Sequence, residues 1–383
     1  MLADLVLLAS ASGMMLVAFW LVPPSLPSVR CWILVVGSCA LIFSISPYGA
    51  LVTVAASLIC AIWSPVLADA RHRRKLTLAA LSVLVPLTLW RHVLEQDPLV
   101  HIGAAFTTLR SLSVLADSAW RRTIFSVRDV LFLNLFFPTF AAGPIETARN
   151  FGPAAFASRF SLERFLVGAL RILVGLFKMD YLANRVLFHL LARFWPDAAA
   201  APDGVAAGLF YVLIRFLWVY VQFSGLTDVA IGTAQLFHIT VRENFDNPLI
   251  AVGIRDFWRR WHRSLADWVV GYIYLPTVRR TGRVELSIFV AFTLIGLWHR
   301  LTLLYLAWGC AHGAALGLSR LFRNRFRRAT EMIASPVLRP IGWGLTMLFV
   351  ATVSAIADSS DSRLARLLED TIGISSEIAR WFG

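Results

Sequence analysis

Charge is scarce in this chain: Asp, Glu, Lys and Arg make up 15% of its 383 residues, against 58% hydrophobic ones. An average soluble domain carries about 25% charged residues, so this balance excludes an ordinary water-soluble fold and points to a polytopic membrane protein. Acidic residues are the rarer sign, 23 Asp and Glu against 36 Lys and Arg. In so apolar a chain a net charge of +13 reads as arginine-rich cytoplasmic loops against anionic membrane lipids, and no nucleic-acid partner is expected. Cysteine is rare too. Cys31, Cys39, Cys60 and Cys310 lie in or beside apolar runs, with neither disulfide-framework nor zinc spacing, and read as small packing residues. No long linker of Pro, Gly or Ser divides the chain, and no fixed-period repeat suggests the inverted halves of many transporters, so a single membrane domain over 1–383 is expected. Also missing are a phosphate-cradling glycine loop, a metal-ligand spacing and a Gly-x-Ser-x-Gly elbow; no bound metal is expected.

What the chain does have is apolar runs. Runs near 3–22, 31–46, 49–68, 76–92, 129–143, 165–190, 205–223, 284–299, 301–319 and 337–357 approach the roughly 20 residues needed to cross a hydrocarbon core. The predicted fold is all-α, with about ten transmembrane helices by the hydropathy rules. Met1 to Pro24 lacks the basic start of a secretory signal and reads as a first transmembrane helix. The clusters Arg71, His72, Arg73, Arg74, Lys75 and Arg320, Arg323, Arg325, Arg327, Arg328 are expected on the cytoplasmic side; Pro196 to Gly204 and the tail from Ala357 and Asp358, acidic or neutral, are expected outside, with the N-terminus. Residues 1–93 read as peripheral lipid-facing helices, 101–320 as the working core, and 336–383 as the last span with an amphipathic tail. In that tail Leu364, Leu367, Leu368 and Ile372 recur at helical spacing.

The densest polar stretch is Asp256 to Pro276, DFWRRWHRSLADWVVGYIYLP. It is too polar for a normal span and is bracketed by Pro248 and Pro276, so 245–280 is expected to form re-entrant or interfacial helices lining a cavity. Ionisable groups at membrane depth mark substrate paths by default. His262 follows Trp258, Arg259, Arg260 and Trp261, and Asp256 and Asp267 lie close enough in sequence to orient it as a general base; the alternative is that Asp267 and the arginines form structural ion pairs. His299, after Trp298, ends a sixteen-residue apolar run; buried in low dielectric it would be held neutral and ready to accept a proton. His312 lies thirteen residues on. On one continuous helix that is roughly 20 Å from His299, which would prevent both from acting on one atom. The neighbouring Gly309, Ala311, Gly313, Ala314 and Ala315 leave His312 open to a packing role. Asp228 and Arg215 are also membrane-embedded, as a structural pair or as substrate contacts.

These residues resemble the membrane-bound O-acyltransferase family, in particular its bacterial branch that modifies cell-envelope polymers. The likeness runs from about 101 onward. It rests on Ala142-Gly143-Pro144-Ile145, Gly175-Leu176-Phe177-Lys178, Phe223-Ser224-Gly225 with Thr227-Asp228 and Ala230-Ile231-Gly232, and Asn244-Phe245 with Pro248. It continues through Asp256-Phe257-Trp258-Arg259-Arg260-Trp261-His262 with Ser264-Leu265, Tyr272-Ile273-Tyr274, Trp298-His299, and Trp308-Gly309 with His312-Gly313. The resemblance implies transmembrane helices around a central funnel and tunnel, with His299 as catalytic histidine and His262 as a second polar residue beside it. Asp256, Trp258, Arg259, Arg260, Trp261, Ser264, Asp228, Trp298 and His312 would support the site or line the tunnel. It implies an acyl thioester donor on the cytoplasmic side, an acyl carrier protein with its phosphopantetheine arm or acetyl-CoA. A hydroxyl of an envelope polymer would be the acceptor, with an extracytoplasmic partner completing delivery.

Leu301-Thr302 and Leu304-Tyr305-Leu306-Ala307-Trp308-Gly309 look more like the D-alanyl transferases of teichoic acid modification than the alginate acetylation proteins. The chain departs from the family where Trp-His-Gly is replaced by Trp298-His299-Arg300, where an Arg-Asp pair is replaced by Val270-Gly271, and where Leu226 and Leu249 stand in place of tyrosines. The expected function is transfer of a D-alanyl or acetyl group. A transporter or export subunit, or a catalytically degenerate scaffold of an acylation complex, is the alternative.

Overall fold

The computed structural model describes residues 2–89, 98–141, 143–150, 153–194, 204–325 and 338–357. The described residues are helical, without strands. They fall into two compact units, one of Met1–Leu176 with Leu226–Glu243 and one of Phe177–Gly225 with Asn244–Gly383. The amphipathic tail at 362–382, the external segment at 196–203, Asp358, Ala142, and Arg327 and Arg328 lie outside the described residues.

In the first unit, α1 (Leu2–Leu21), α2 (Pro27–Ile45), α3 (Pro47–Ala68) and α4 (Leu76–Leu89) follow the predicted runs. Local chemistry sets their limits. Ser46 closes α2 and opens α3, where its hydroxyl accepts from the Gly49 amide at 3.0 Å and Pro47 takes the first turn, whose amide needs no partner. These helices are less plain than their hydropathy suggests. Arg30 on α2 is buried, donating to the carbonyls of Val22, Phe156 and Ser158 at 2.6–3.2 Å and standing over the rings of Phe19 and Trp20.

Helix α5 (Pro98–Arg121) is the element that hydropathy missed. Its core-facing side carries Thr107, Arg110, Ser111, Asp117 and Ser118, all buried, so its polarity faces the interior of the unit rather than lipid. Arg110 donates to the carbonyls of Leu133, Thr139 and Pro144. Asn134 donates to Ser57 and Ser111 at 3.0 and 3.1 Å, and Asp117 holds Arg121 and Arg149. The predicted span at 129–143 is instead broken into α6 (Val127–Leu135) and the single turn α7 (Phe137–Phe140). Phe136 leaves the helical region at ψ 102°, and Pro138 follows it.

The predicted run at 165–190 is also subdivided. It becomes α8 (Leu162–Leu176), a π-helical stretch Phe177–Leu187, and α9 (Phe188–Phe194). Helix α10 (Val205–Leu236) is the longest and contributes to both units. Its first-unit portion approaches α8 through Gly168 and Gly232, where a Cβ on Gly232 would stand 2.6 Å from the Gly168 carbonyl oxygen.

In the second unit, 245–280 contains no spanning helix. It holds α11 (Ile254–Arg260), α12 (Arg263–Val269), a π turn Val270–Tyr274 and α13 (Leu275–Thr281), the short interrupted helices expected there. Then come α14 (Val284–His299), α15 (Leu303–Arg325) and α16 (Arg339–Ala357). Among the described residues α2, α3, α10 and α16 are long and apolar enough to cross a membrane, and shorter apolar helices cover Ser10–Leu21, Leu76–Leu89 and Val284–His299. The protein is an all-α, multi-pass membrane protein.

Candidate active site

The site is built from a break in the helix. Helix α11 ends at Arg260, Trp261 turns extended, and His262 takes a left-handed conformation at φ 43° before α12 starts. Histidine tolerates this region better than most residues, yet such a conformation costs about 1–3 kcal/mol and persists only where its surroundings impose it. The segment beside the break imposes it: the Asp246 amide donates to the Arg260 carbonyl at 2.9 Å, the Arg263 amide to the Asn244 carbonyl at 2.8 Å, and the Ser264 hydroxyl to Asn244 Oδ1 at 2.5 Å. Asn244 and Ser264 are fully buried. Trp261 is wedged among Phe216, Phe245 and Phe257 with ring centroids 5.2–5.5 Å away, and the His262 ring meets Phe223 edge-on at 4.9 Å.

His299 and His312 do not share one continuous helix, and here the sequence-based expectation is corrected. Helix α14 ends at His299, Arg300 is extended, and α15 begins at Leu303. The chain reverses, and the two helices pack antiparallel through glycines. A Cβ on Gly296 would collide with the Tyr305 carbonyl oxygen, one on Gly309 with that of Phe292, and one on Gly313 would lie 3.0 Å from Phe289 Cα. Both histidines are thereby brought against Trp308, at ring-centroid distances of 5.5 Å for His299 and 4.6 Å for His312.

A cavity of about 280 Å³ is lined by His262, His299 and His312, with Trp258, Trp261, Arg215, Tyr305 and Trp308 among its other walls. His262 and His299 are within electrostatic range of each other. His299 is half-buried rather than enclosed, whereas His262 and His312 are buried. Their roles are separable by hydrogen bonding. Trp258 Nε1–H can only donate, and it donates to His312 Nδ1 at 3.3 Å, so neutral His312 carries its hydrogen on Nε2 and that Nδ1 lone pair is occupied.

A second, larger cavity of about 490 Å³ is lined by Arg255, Arg259, Arg260 and Arg263, by Asp246, Asp256 and Asp267, and by an apolar wall that includes Ile288, Phe292, Ile295 and Leu316. None of its lining residues is a histidine. The expected sites therefore divide. Trp258, Trp261, His262, His299 and His312 meet in the histidine cavity, and Asp256, Arg259 and Arg260 line the other. The carboxylate of Asp256 receives Arg260 Nε at 2.9 Å, so it is engaged in a structural ion pair of the kind expected for Asp267. Ser264 acts from behind through Asn244, and Trp298 packs on the His299 ring at 4.8 Å. Asp228 belongs to the first unit, where Arg171 bridges it at 3.0 Å to Glu243 at 2.5 Å. Arg215 lines the histidine cavity, whereas Asp228, its expected partner, pairs with Arg171.

A multi-pass helical membrane protein with a histidine-lined internal cavity is the class that fold and site define. Residues 34–354 match the model of the MBOAT, membrane-bound O-acyltransferase family, and the chain belongs to that family. Among curated relatives, a probable alginate O-acetylase of Pseudomonas syringae is 29% identical over 273 residues, covering 70% of this chain and 50% of the relative. A peptidoglycan O-acetyltransferase of Helicobacter pylori is 28% identical over 249 residues, covering 63% of this chain and 46% of the relative. A teichoic acid D-alanyltransferase of Bacillus subtilis is 24% identical over 241 residues, covering 58% and 60%. Identity is thus higher to the alginate protein than to the D-alanyltransferase. The chain spans about half the length of the first of these relatives.

Proposed function

We propose that this protein transfers a short acyl group, D-alanyl or acetyl, from a cytoplasmic thioester to a hydroxyl of a cell-envelope polymer. The observation that carries the reading is the meeting of His262 and His299 in one cavity of a chain from this family. His299, the more accessible of the two, is the general base. It takes the proton of the acceptor hydroxyl as that oxygen attacks the thioester carbonyl; the carbon–sulfur bond then breaks and the thiolate leaves to be protonated. No covalent acyl-enzyme is needed. His262 is the second polar residue of the centre. The donor is a phosphopantetheine thioester on an acyl carrier protein, or acyl-CoA. The four arginines of the larger cavity supply charge complementary to the phosphate of such an arm. A partner outside the membrane completes delivery to the polymer.

The test is acyl transfer in proteoliposomes, offering D-alanyl and acetyl thioesters on carrier protein and on coenzyme A, with native protein beside His299→Ala. Transfer that requires His299 supports the reading and selects the donor. Folded native protein that transfers from no donor would move the assignment to a transporter or a scaffold.

A further inference from the structure

The two cavities share a wall. Along α14, Ile288, Phe292 and Ile295 line the arginine-rimmed cavity and His299, about one turn further on, lines the histidine cavity. Antiparallel α15 repeats the order, with Leu316 on the first and His312 and Trp308 on the second. Trp258 and Leu265 belong to both linings. Of the two, Trp258 is the bulky one, and it is held in place: Phe292 meets it edge-on at 4.8 Å, Trp308 at 5.9 Å, and its N–H is bound to His312. His312 is itself fixed, fully buried against Phe349 at 5.2 Å and Trp308 at 4.6 Å.

We propose that His312 is a positioning residue that holds the Trp258 indole as a partition between the two cavities, and that this pair sets the size of acyl group that can reach His299. The inference rests on the acyl-transfer reading above. Any apolar side chain would fill the space of His312; burying an imidazole there is costly, its Nε2 has no partner among the described residues, and the one hydrogen bond that it makes is the one that fixes the indole. With the indole in place the histidine cavity, about 280 Å³, is slightly smaller than the ~300–1,000 Å³ typical of ligand pockets. A two- or three-carbon acyl group fits beside the acceptor hydroxyl. A longer chain requires the indole to swing away and give up its acceptor.

The experiment uses the full-length protein and two readouts. One is transfer from pantetheine thioesters carrying two-, four- and eight-carbon acyl groups; the other is binding of unreactive S-alkyl pantetheine thioethers of the same lengths, followed by calorimetry. His312→Ala is expected to weaken the preference for two over eight carbons about tenfold in both readouts. His312→Asn, whose side-chain oxygen stands near the position of Nδ1, is expected to keep the preference. Trp258→Phe should relax the preference as His312→Ala does, and adding His312→Ala to it should change nothing further. His299→Ala should lower transfer by about 10²–10⁴-fold for every length and leave the thioether length preference intact. A His312→Ala protein whose transfer falls by one common factor for all lengths, with the thioether preference unchanged, would overturn the proposal. So would native protein that binds all lengths equally. If native protein transfers nothing, yet its thioether preference is lost in His312→Ala, the partition stands and the acyl-transfer reading fails.

Discussion

Gly309→Ala tests whether the closeness of α14 and α15 is what assembles the cavity. An alanine Cβ there would collide with the Phe292 carbonyl oxygen and lie 3.0 Å from Thr293 Cα, where ordinary contact begins at 3.4 Å. Both obstacles are backbone, which cannot rotate aside, so the helices must part by roughly 1 Å; overpacking of this kind costs about 1–3 kcal/mol. The same displacement carries Trp308 and His312 away from His299. A 1 Å error in a catalytic arrangement is worth about 10²-fold in rate. The expected result is therefore a folded protein with a lowered unfolding temperature in detergent and a transfer rate down about 10²-fold. Gly344→Ala is the control, because a Cβ at Gly344 meets nothing within 4 Å, and it should leave both quantities unchanged. Full activity and stability in Gly309→Ala would refute the argument that the glycine contact sets the geometry of the histidines.

Three further expectations follow from particular contacts. His299→Ala should lower transfer by about 10²–10⁴-fold, the usual range for loss of a general base, with little change in unfolding temperature because the ring is half-buried. Asn244→Ala leaves the buried Ser264 hydroxyl without this acceptor and should destabilise by about 1–3 kcal/mol, with a loss of transfer as the left-handed His262 is released; replacing Ser264 by Ala in the same protein should recover part of the stability, measured as a double-mutant cycle. Arg30→Met strips the buried carbonyl of Phe156 and the partly buried carbonyls of Val22 and Ser158 of their shared donor and should cost about 1–3 kcal/mol, while acyl-length preference stays as in the native protein.

Much of the architecture was legible because lipid writes a simple rule into sequence: runs such as 49–68 and 284–299 had to be helices long enough to bury their backbone polar groups. The same rule failed where protein replaces lipid. Helix α5 escaped notice because Arg110 and Asp117 find their partners inside the first unit. The run at 129–143 was broken by Phe136 and Pro138, and the run at 165–190 passed into a π-helical stretch, a winding that apolar periodicity does not encode.

By itself the sequence determined that this is a multi-pass helical membrane protein of the O-acyltransferase family, and it singled out His262, His299 and His312 as candidate site residues. Histidine is the side chain that exchanges a proton near neutral pH, and the residues that carry the resemblance surround it in fixed order. Only the tertiary structure decided that His262, His299 and His312 line one cavity, that Asp256 serves Arg260, and that Trp258 stands between two cavities with its indole on His312. Those facts depend on a chain reversal after His299, on glycine contacts between α14 and α15 and on a left-handed residue at position 262. Each is set by packing between segments distant in sequence, and local pattern does not carry that information.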